Sequence, residues 1–172
     1  MKENNKLSSK KKGVDFFSLR FFIIIFSSLF LIFLDLFTKF IAKNFLDIQI
    51  NIIKDLFFLE FVKNPGIAFS ITIPTLFLKI MTIILIFGIV YYYIKEEQKK
   101  EDKYIDMSFI LILSGALGNA YERIFVGEVI DFIGIKYFSV FNFADIYISL
   151  GVALYLYKIL LGAKKIHLDQ EK

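Results

Sequence analysis

Residues 21–34 read FFIIIFSSLFLIFL, a stretch without a charged side chain. They lie inside an apolar segment that runs from about residue 16 or 19 to residue 37. A helix needs about 20 apolar residues to cross the hydrocarbon core of a bilayer. The segment is too long for the apolar part of a signal peptide, and no A-x-A-like cleavage site follows it. It therefore predicts an uncleaved membrane-spanning helix.

Three further segments have the same character, at about residues 74–94, 104–121 and 141–161. The composition agrees, because 57% of the 172 residues are hydrophobic, 22 are Phe, and the mean hydropathy is +0.64. A soluble domain of this length needs far more polar surface. The sequence predicts an all-α membrane protein with four transmembrane helices in one domain.

One connection between the spans has a different pattern. Between residues 47 and 70, two short β-prone runs, IQINII and LFFLEFV, precede the turn sequence NPG. Short runs rich in β-branched and aromatic residues and broken by turn residues indicate strands. We expect a small β-containing segment at the outer surface of the membrane.

Lysine and arginine indicate the orientation of the chain. They concentrate in the N-terminal tail, in the connection 95–103 and in the C-terminal tail. Cytoplasmic segments carry the excess of basic residues, so both termini and this connection are expected in the cytoplasm. The expected division is a disordered cytoplasmic tail over 1–15, a four-span domain over 16–162 and a cytoplasmic tail over 163–172. The net charge of +4 lies mostly in these regions, which does not indicate nucleic-acid binding.

The residues that are missing limit the chemistry. The chain has no Cys, and its only His, His167, lies in the polar C-terminal tail. Disulfides, thiol nucleophiles and thiolate metal sites are excluded, and a His-based metal site or a Ser-His-Asp triad is not expected. We expect no metal and no cofactor.

Polar residues cluster at one predicted depth, the outer interface. Polar groups in or beside lipid are costly, so each needs a partner or a function. A shared depth therefore indicates one polar site. Its members are Asp35, Lys39, Asn64, Asn119, Glu122, Arg123, Asp131, Asn142 and Asp145. One further cation, Lys79, lies in the second span and is expected to snorkel outward.

Several of these residues also fit simpler interpretations. Asp35 and Lys39, spaced i, i+4, fit an ordinary helix pair. Arg123 fits a side chain that reaches the lipid head groups. Asn142 and Asp145 fit a helix cap in which Asn142 is the N-cap and Asp145 reaches back from the third helical position.

The case for chemistry depends on Asp131 and Asp145. Two carboxylates held close together do not both ionise easily, so they share a proton and titrate as a pair. One then activates water as a base while the other donates a proton to the substrate carbonyl, as in aspartic proteases. Alternatively, Asp131 lies in a solvated loop without a role. The paired-carboxylate chemistry needs no His, Cys or metal.

Five motifs occur in order along the four predicted spans: DLFTK at 35–39, NPGIAFS at 64–70, SGALGNAYER at 114–123, VIDF at 129–132 and FNFAD at 141–145. Together they resemble lipoprotein signal peptidase, the signal peptidase II of bacteria, over roughly residues 19–161. The resemblance implies a four-span aspartyl endopeptidase of the bacterial cytoplasmic membrane, active at the extracytoplasmic face. It implies removal of signal peptides from diacylglyceryl-modified prolipoproteins, with cleavage before the lipidated cysteine. The expected partners are this substrate and membrane lipid, and we expect a monomer.

By the same resemblance, Asp131 and Asp145 form the catalytic pair, and the helix N-terminus at Asp145 favours Asp145 as the base. Two positions depart from the family pattern: Leu36 replaces the usual Gln, and Glu122 replaces the usual Asp. These departures affect the expected hydrogen bonding around the pair. The residues implied to line or support the site are Asp35, Lys39, Asn64, Gly66, Ala68, Gly118, Asn119, Arg123, Asn142 and Ala144.

The alternative function is a small channel or transporter subunit with a polar outer vestibule. Such a protein is expected to carry polar groups at mid-bilayer and often an internal repeat. The predicted span centres are apolar apart from Ser and Gly, and no repeat is found. A structural membrane protein without chemistry does not account for the clustered Asp and Asn residues.

Overall fold

The computed structural model describes the backbone of residues 2–54, 56–66 and 74–170, and the side chains of 19–54, 56–66 and 74–162. Within these residues the chain forms four α-helices and four short strands. The helices are α1 (Lys2–Phe45), α2 (Thr75–Tyr92), α3 (Lys103–Phe125) and α4 (Phe143–Gln170). The strands are β1 (Ile50–Ile53), β2 (Phe57–Asn64), β3 (Val129–Ile135) and β4 (Ser139–Phe141).

In the part of the chain that the structure describes, three helical segments are long and apolar enough to cross a membrane: Leu19–Phe45, Thr75–Lys100 and Phe143–Gly162. Their surfaces carry large exposed apolar side chains, which suits contact with lipid and not with water. The first, second and fourth predicted spans are confirmed as apolar helices of spanning length. The first helix continues to Phe45, well past the predicted end at residue 37.

The third predicted span is a helix, α3, but it is not among the three segments that qualify as spans. The reason lies in its position, because α3 packs against each of the other three helices. Most of its buried residues are accordingly small or polar, such as Ser114, Gly115 and Gly118. A Cβ at Gly115 would overlap the carbonyl of Ala144, so glycine there allows α3 and α4 to approach closely.

At the end opposite the sheet, ionic contacts join the helices. Arg20 of α1 contacts Asp106 of α3 at 2.6 and 2.7 Å, and Tyr93 donates to the same carboxylate at 2.8 Å. Beyond α2 the chain continues as a π-helical turn, Tyr93–Glu97, which buries Glu97. This end is therefore held together by paired charges.

The strands form one antiparallel sheet in the order β1-β2-β3-β4. The β-prone runs between residues 47 and 70 do form β1 and β2, as predicted. The connection 122–140 was not expected to contain strands, yet it forms β3 and β4. Phe132 and Ile133 of β3 pack with Ala42 of α1 in a buried cluster, which fixes the sheet against the end of the first helix.

The described backbone of both terminal segments is helical. Helix α1 begins at Lys2, and the disordered cytoplasmic tail expected over 1–15 stays a prediction. Extending an existing helix costs much less than nucleating one, and this tail contains no proline to interrupt it. Likewise, α4 continues to Gln170, through most of the segment 163–172.

Candidate active site

A cavity of about 520 Å³ lies where α3, the start of α4 and the strands β3 and β4 meet. Its lining consists of seven apolar residues and eight residues with polar or charged side chains that converge on it. Both Asp131 and Asp145 line this cavity. The other polar residues that line it are Asn64, Asn119, Arg123, Ser139, Asn142 and Ser149.

Asp131 lies in β3, paired with Val62 of β2, and is only 3% exposed. Its carboxylate accepts from the side-chain amide of Asn64 at 2.9 Å and from that of Asn142 at 2.6 Å. The pKa of Asp131 is raised to about 6, mainly by burial and also by the charge of Asp145, while the two amide donors and the charge of Lys39 oppose the shift. Asp131 is therefore a carboxyl group that holds a proton at mildly acidic pH.

Asp145 lies in the first turn of α4, where it takes part in a reciprocal cap. The backbone N–H of Asp145 donates to Oδ1 of Asn142 at 3.0 Å, and the backbone N–H of Asn142 donates to Oδ2 of Asp145 at 3.2 Å. This is the geometry of a capping box. The side-chain amide of Asn119 donates to the other carboxylate oxygen, Oδ1, at 2.9 Å. The cap and the contact with the cavity therefore coexist in one residue.

Asn142 joins the two aspartates and is itself completely buried. Its amide nitrogen donates to Asp131 and also lies 3.2 Å from Oδ1 of Asn119 and 3.3 Å from the carbonyl oxygen of Ile130. Two amide hydrogens thus face three acceptors, a dense arrangement that leaves the side chain little freedom. The orientation of Asn142 fixes the relative positions of β3 and α4.

The buried side chain of Lys39 orients the side-chain amide of Asn119. The ammonium group of Lys39 lies 2.8 Å from Asp35 Oδ2 and 3.0 Å from Glu122 Oε2, and it donates to Oδ1 of Asn119 at 2.8 Å. Because the oxygen of Asn119 faces Lys39, its NH₂ group points to Asp145. The Lys39 and Asp35 side chains are 1% and 0% exposed, so they are not the ordinary surface pair considered as an alternative.

The contacts of Asp35 account for the presence of small residues at positions 118 and 144, in two of the motifs. Its Oδ1 accepts the backbone N–H of Ala144 at 2.8 Å, which satisfies one of the free N–H groups at the start of α4. A Cβ on Gly118 would lie 2.6 Å from Asp35 Oδ2, so this approach requires glycine. Gly118 and Ala144 therefore support the site through close packing.

Glu122 holds the end of α3 against the strand that carries Asp131. The backbone N–H of Ile130 donates to Glu122 Oε2 at 3.2 Å. Its place in the polar cluster was predicted from its depth, but it was not among the residues expected to support the site. The other departure, Leu36, lies in a separate apolar cavity and not at this site.

The NPG turn lies at the edge of the cavity. The backbone N–H of Gly66 donates to Oδ1 of Asn64 at 3.0 Å, which orients the amide of Asn64 toward Asp131. Arg123 donates to the carbonyl oxygen of Gly66 at 3.4 Å, a long contact. Ala68, also implied by the resemblance, lies outside the described residues. Within those residues, no group of three or more His, Asp or Glu side chains is arranged to hold a metal ion.

Comparison with known proteins gives consistent results. The family profile for signal peptidase (SPase) II matches residues 27–161. A lipoprotein signal peptidase of Halalkalibacterium halodurans is 34% identical over 145 residues, which cover 80% of this chain and 92% of the relative. One of Caldicellulosiruptor bescii is 40% identical over 119 residues, which cover 69% and 77%. A solved bacterial membrane enzyme superposes with a TM-score of 0.75 at 29% identity, covering 83% of this chain and 90% of the other. A second has a TM-score of 0.69 at 28% identity and covers 80% and 92%.

Proposed function

This chain belongs to the signal peptidase II family, and we propose that Asp131 and Asp145 carry out its reaction. It is a membrane-bound aspartyl peptidase that removes signal peptides from prolipoproteins. The observation that carries the catalytic assignment is that both carboxylates line one cavity and are joined through Asn142. The family match does not favour the alternative of a channel or transporter subunit.

In the proposed mechanism, Asp145 at the start of α4 acts as the base and takes a proton from water while the water oxygen attacks the scissile carbonyl carbon. Asp131 supplies its proton to the carbonyl oxygen, so the tetrahedral intermediate forms without a free negative charge. When the intermediate collapses, the proton returns to Asp131, and Asp145 gives its proton to the leaving amine. The elevated pKa of Asp131, about 6, supports Asp131 as the initial proton donor.

The remaining polar residues have supporting roles in this proposal. Asn64 and Asn142 hold the carboxylate of Asp131, and Asn119 holds that of Asp145. Lys39, together with Asp35, holds Asn119 and the start of α4. Arg123 steadies the NPG turn at the cavity edge, and the motif extends this assignment to Gly66 and Ala68. Such positioning matters because catalysis depends on placement of the reacting groups to within about 0.5 Å.

The membrane arrangement is also a proposal. With 23 residues, α3 is about 35 Å long at 1.5 Å per residue, enough to cross the hydrocarbon core as a fourth span. Both termini lie in the cytoplasm, and the sheet and the cavity lie at the extracytoplasmic face. Residues 16–162 form the peptidase domain of a monomer in the bacterial cytoplasmic membrane. The substrate's diacylglyceryl group stays in the bilayer, and cleavage occurs before the lipidated cysteine.

The test uses purified full-length protein in detergent and a prolipoprotein with or without the diacylglyceryl group. We expect release of the signal peptide from the lipidated substrate and an N-terminal lipidated cysteine on the product. The Asp145→Asn variant is the matched control for a contaminating protease. Equal cleavage of the unlipidated substrate would refute the proposed specificity, and cleavage by the control variant would refute the catalytic assignment.

A further inference from the structure

A second cavity, of about 420 Å³, lies on the far side of α3 from the aspartates. Residues Asn119 and Arg123 of α3 face the first cavity, whereas Ala120 and Ile124 of the same helix line the second. The second cavity is a groove between α1, α2 and α3, and every residue that lines it is apolar or aromatic. The lining residues are Ile32, Leu36, Ile83, Ile86, Phe87, Leu117, Ala120, Tyr121, Ile124 and Phe125.

A lysine stands at the outer end of this groove. Lys79 is the fifth residue of α2, is half-buried, and donates to the carbonyl oxygen of Ile124 at 2.6 Å. One helical turn further along α2, Ile83 lines the groove, so Lys79 lies above Ile83 on the same face. This contact differs from the expected outward snorkelling, because the ammonium group is turned toward α3.

The charge of Lys79 is not balanced by a carboxylate among the residues whose side chains are described. An ammonium group has three donors, and the bond to Ile124 uses one of them. A second cation lies on the opposite wall, because Lys43 follows Leu36 by two helical turns on α1 and is exposed. The groove therefore combines an apolar interior with a positively charged mouth.

We propose that this groove binds an anionic phospholipid of the bilayer, with one acyl chain between α1 and α2 and the phosphate at Lys79. Ile83 to Phe87 lie about 6–12 Å along the helix from Lys79, so chain and head group fall at the depths where a bilayer lipid presents them. A phosphate oxygen and an ammonium group form a charge-assisted hydrogen bond. A zwitterionic lipid offers the same acyl chain but less net charge to Lys79.

The test takes advantage of the absence of tryptophan from this chain. Ile83→Trp places a fluorophore in the groove, and Leu85→Trp places one on the 58% exposed lipid-facing surface outside it. Each variant is reconstituted in vesicles that contain increasing fractions of brominated phosphatidylglycerol or brominated phosphatidylcholine, which quench nearby tryptophan. Cleavage of lipidated prolipoprotein confirms that each variant is folded, since neither position touches the proposed catalytic site.

We expect the Ile83→Trp fluorescence to reach half-quenching at a several-fold lower fraction of brominated phosphatidylglycerol than of brominated phosphatidylcholine. Quenching of the Leu85→Trp fluorescence should depend only on the bulk fraction of brominated lipid, and equally for the two lipids. Adding Lys79→Gln to Ile83→Trp should abolish the preference, and Lys79→Arg should retain it. If the Lys79→Gln variant does not fold, the proposal is still tested by comparing how the two brominated lipids quench Ile83→Trp with Lys79 present.

Equal quenching of Ile83→Trp by the two lipids would overturn the proposal. Loss of quenching when lipidated prolipoprotein is added to the inactive enzyme would also overturn it. That result would mean that the substrate displaces the brominated phosphatidylglycerol, so that the groove holds the substrate's own diacylglyceryl group. An Asp145→Asn background prevents turnover during this competition. A preference that survives Lys79→Gln unchanged would also overturn it, since the phosphate would not be bound at Lys79.

Discussion

The side-chain amide of Asn142 donates to Oδ1 of Asp131 at 2.6 Å, across the junction between β3 and α4. The same Asn142 uses its side-chain oxygen and its backbone N–H in the cap of α4, whose first turn contains Asp145. Asn142 thus has a structural role in the helix cap and a contact with the proposed catalytic pair. Because different atoms perform these tasks, a substitution can separate them.

Asn142→Ser should keep the cap and lose the bond to Asp131. Serine is as good an N-cap as asparagine, but its side chain is too short to place a donor at the strand. We expect a melting temperature close to that of the parent protein and a fall in single-turnover cleavage of about 10–100-fold, equivalent to about 1.4–2.8 kcal/mol. Asn142→Ala, which removes both tasks, should also lower the melting temperature. Cleavage at the parental rate by Asn142→Ser would show that the amide does not support catalysis.

The pH dependence of cleavage follows from the protonation of Asp131. If its carboxyl group donates a proton to the substrate, activity requires the protonated form, and burial raises the pKa of that group to about 6. The single-turnover rate should therefore fall as pH rises above 6, by about tenfold per pH unit once the group is mostly ionised. In Asn142→Ser the loss of a donor to the carboxylate should raise this pKa and move the fall to higher pH. A rate that keeps increasing from pH 6 to 8 would contradict the assignment of Asp131 as the acid.

The stability of the folded protein should also depend on the protonation of Asp131, and the raised pKa fixes the direction of this dependence. A carboxyl group whose pKa is raised by folding binds protons more strongly in the folded protein than in the unfolded chain. Its stabilising contribution is complete below pH of about 4 and is lost as pH rises through about 6. The melting temperature should decline over this range in the parent protein, and Asp131→Asn should remove that part of the decline. An equal decline in both proteins would assign the titration to other groups.

Lys39 should be essential to stability because its charge is buried between acids. Lys39→Met leaves Asp35 and Glu122 without their cation, and breaking a buried ion pair costs about 3–5 kcal/mol. The matched control is Lys63→Met, because Lys63 pairs with Glu128 on the surface, where an ion pair contributes about 0–1 kcal/mol. Thermal unfolding in detergent should give a shift of about 10 °C for Lys39→Met and a few degrees at most for the control. Similar shifts for the two variants would mean that the buried network contributes no more than a surface pair.

The orientation of the chain is testable with single cysteines, because the natural sequence has none. Lys99→Cys lies in the basic connection after α2, and Asn51→Cys lies in β1 of the sheet, with both positions exposed. A membrane-impermeant maleimide added to intact cells should label Asn51→Cys and leave Lys99→Cys unlabelled until the membrane is opened. The physical reason is the excess of basic residues in this connection, which is expected to keep it on the cytoplasmic side. Labelling of Lys99→Cys in intact cells would refute the orientation.

Much of the fold could be predicted from the sequence because long apolar helices leave an unambiguous pattern. The helix α3 gave a weaker signal, since it packs against protein on several sides and carries Ser114 and Asn119 in its buried face. The strands β3 and β4 were missed. The sequence VIDFIGI of β3 is buried on both faces of the sheet, so it lacks the alternation that marks a half-exposed strand.

The residues that form the polar site could be predicted more fully than the hydrogen bonds between them. Shared depth brought Asp35, Lys39 and Asn119 into one group before their contacts were known. The order of the contacts depends on three-dimensional register, because Lys39 reaches Asn119 across 80 residues of sequence and Asn142 reaches Asp131 from the neighbouring helix. Glu122 was placed in the polar cluster by its depth, but its two contacts, with Lys39 and with the backbone N–H of Ile130, depend on the folded register and were not predicted.

The last prediction concerns the catalytic pair. Asp131→Asn and Asp145→Asn keep the side-chain volume and remove the acid. At Asp145 the amide retains an oxygen that can accept from the backbone of Asn142, so most of the helix cap survives. Either substitution should lower single-turnover cleavage of a diacylglyceryl-modified prolipoprotein by about three orders of magnitude or more, while the substrate still binds. The matched control is Asp47→Asn, an exposed aspartate away from the cavity, which should cleave normally.

The double variant separates a pair that works as a unit from two independent contributions. If Asp131 and Asp145 act together on one water molecule, removing the second carboxylate after the first should slow cleavage by less than about tenfold more. Independent roles would instead multiply the two losses. Melting temperatures in detergent and binding of the lipidated substrate establish that each variant is folded. Near-parental cleavage by a folded Asp131→Asn or Asp145→Asn protein would refute the mechanism, and the helix cap would then be the only role left for Asp145.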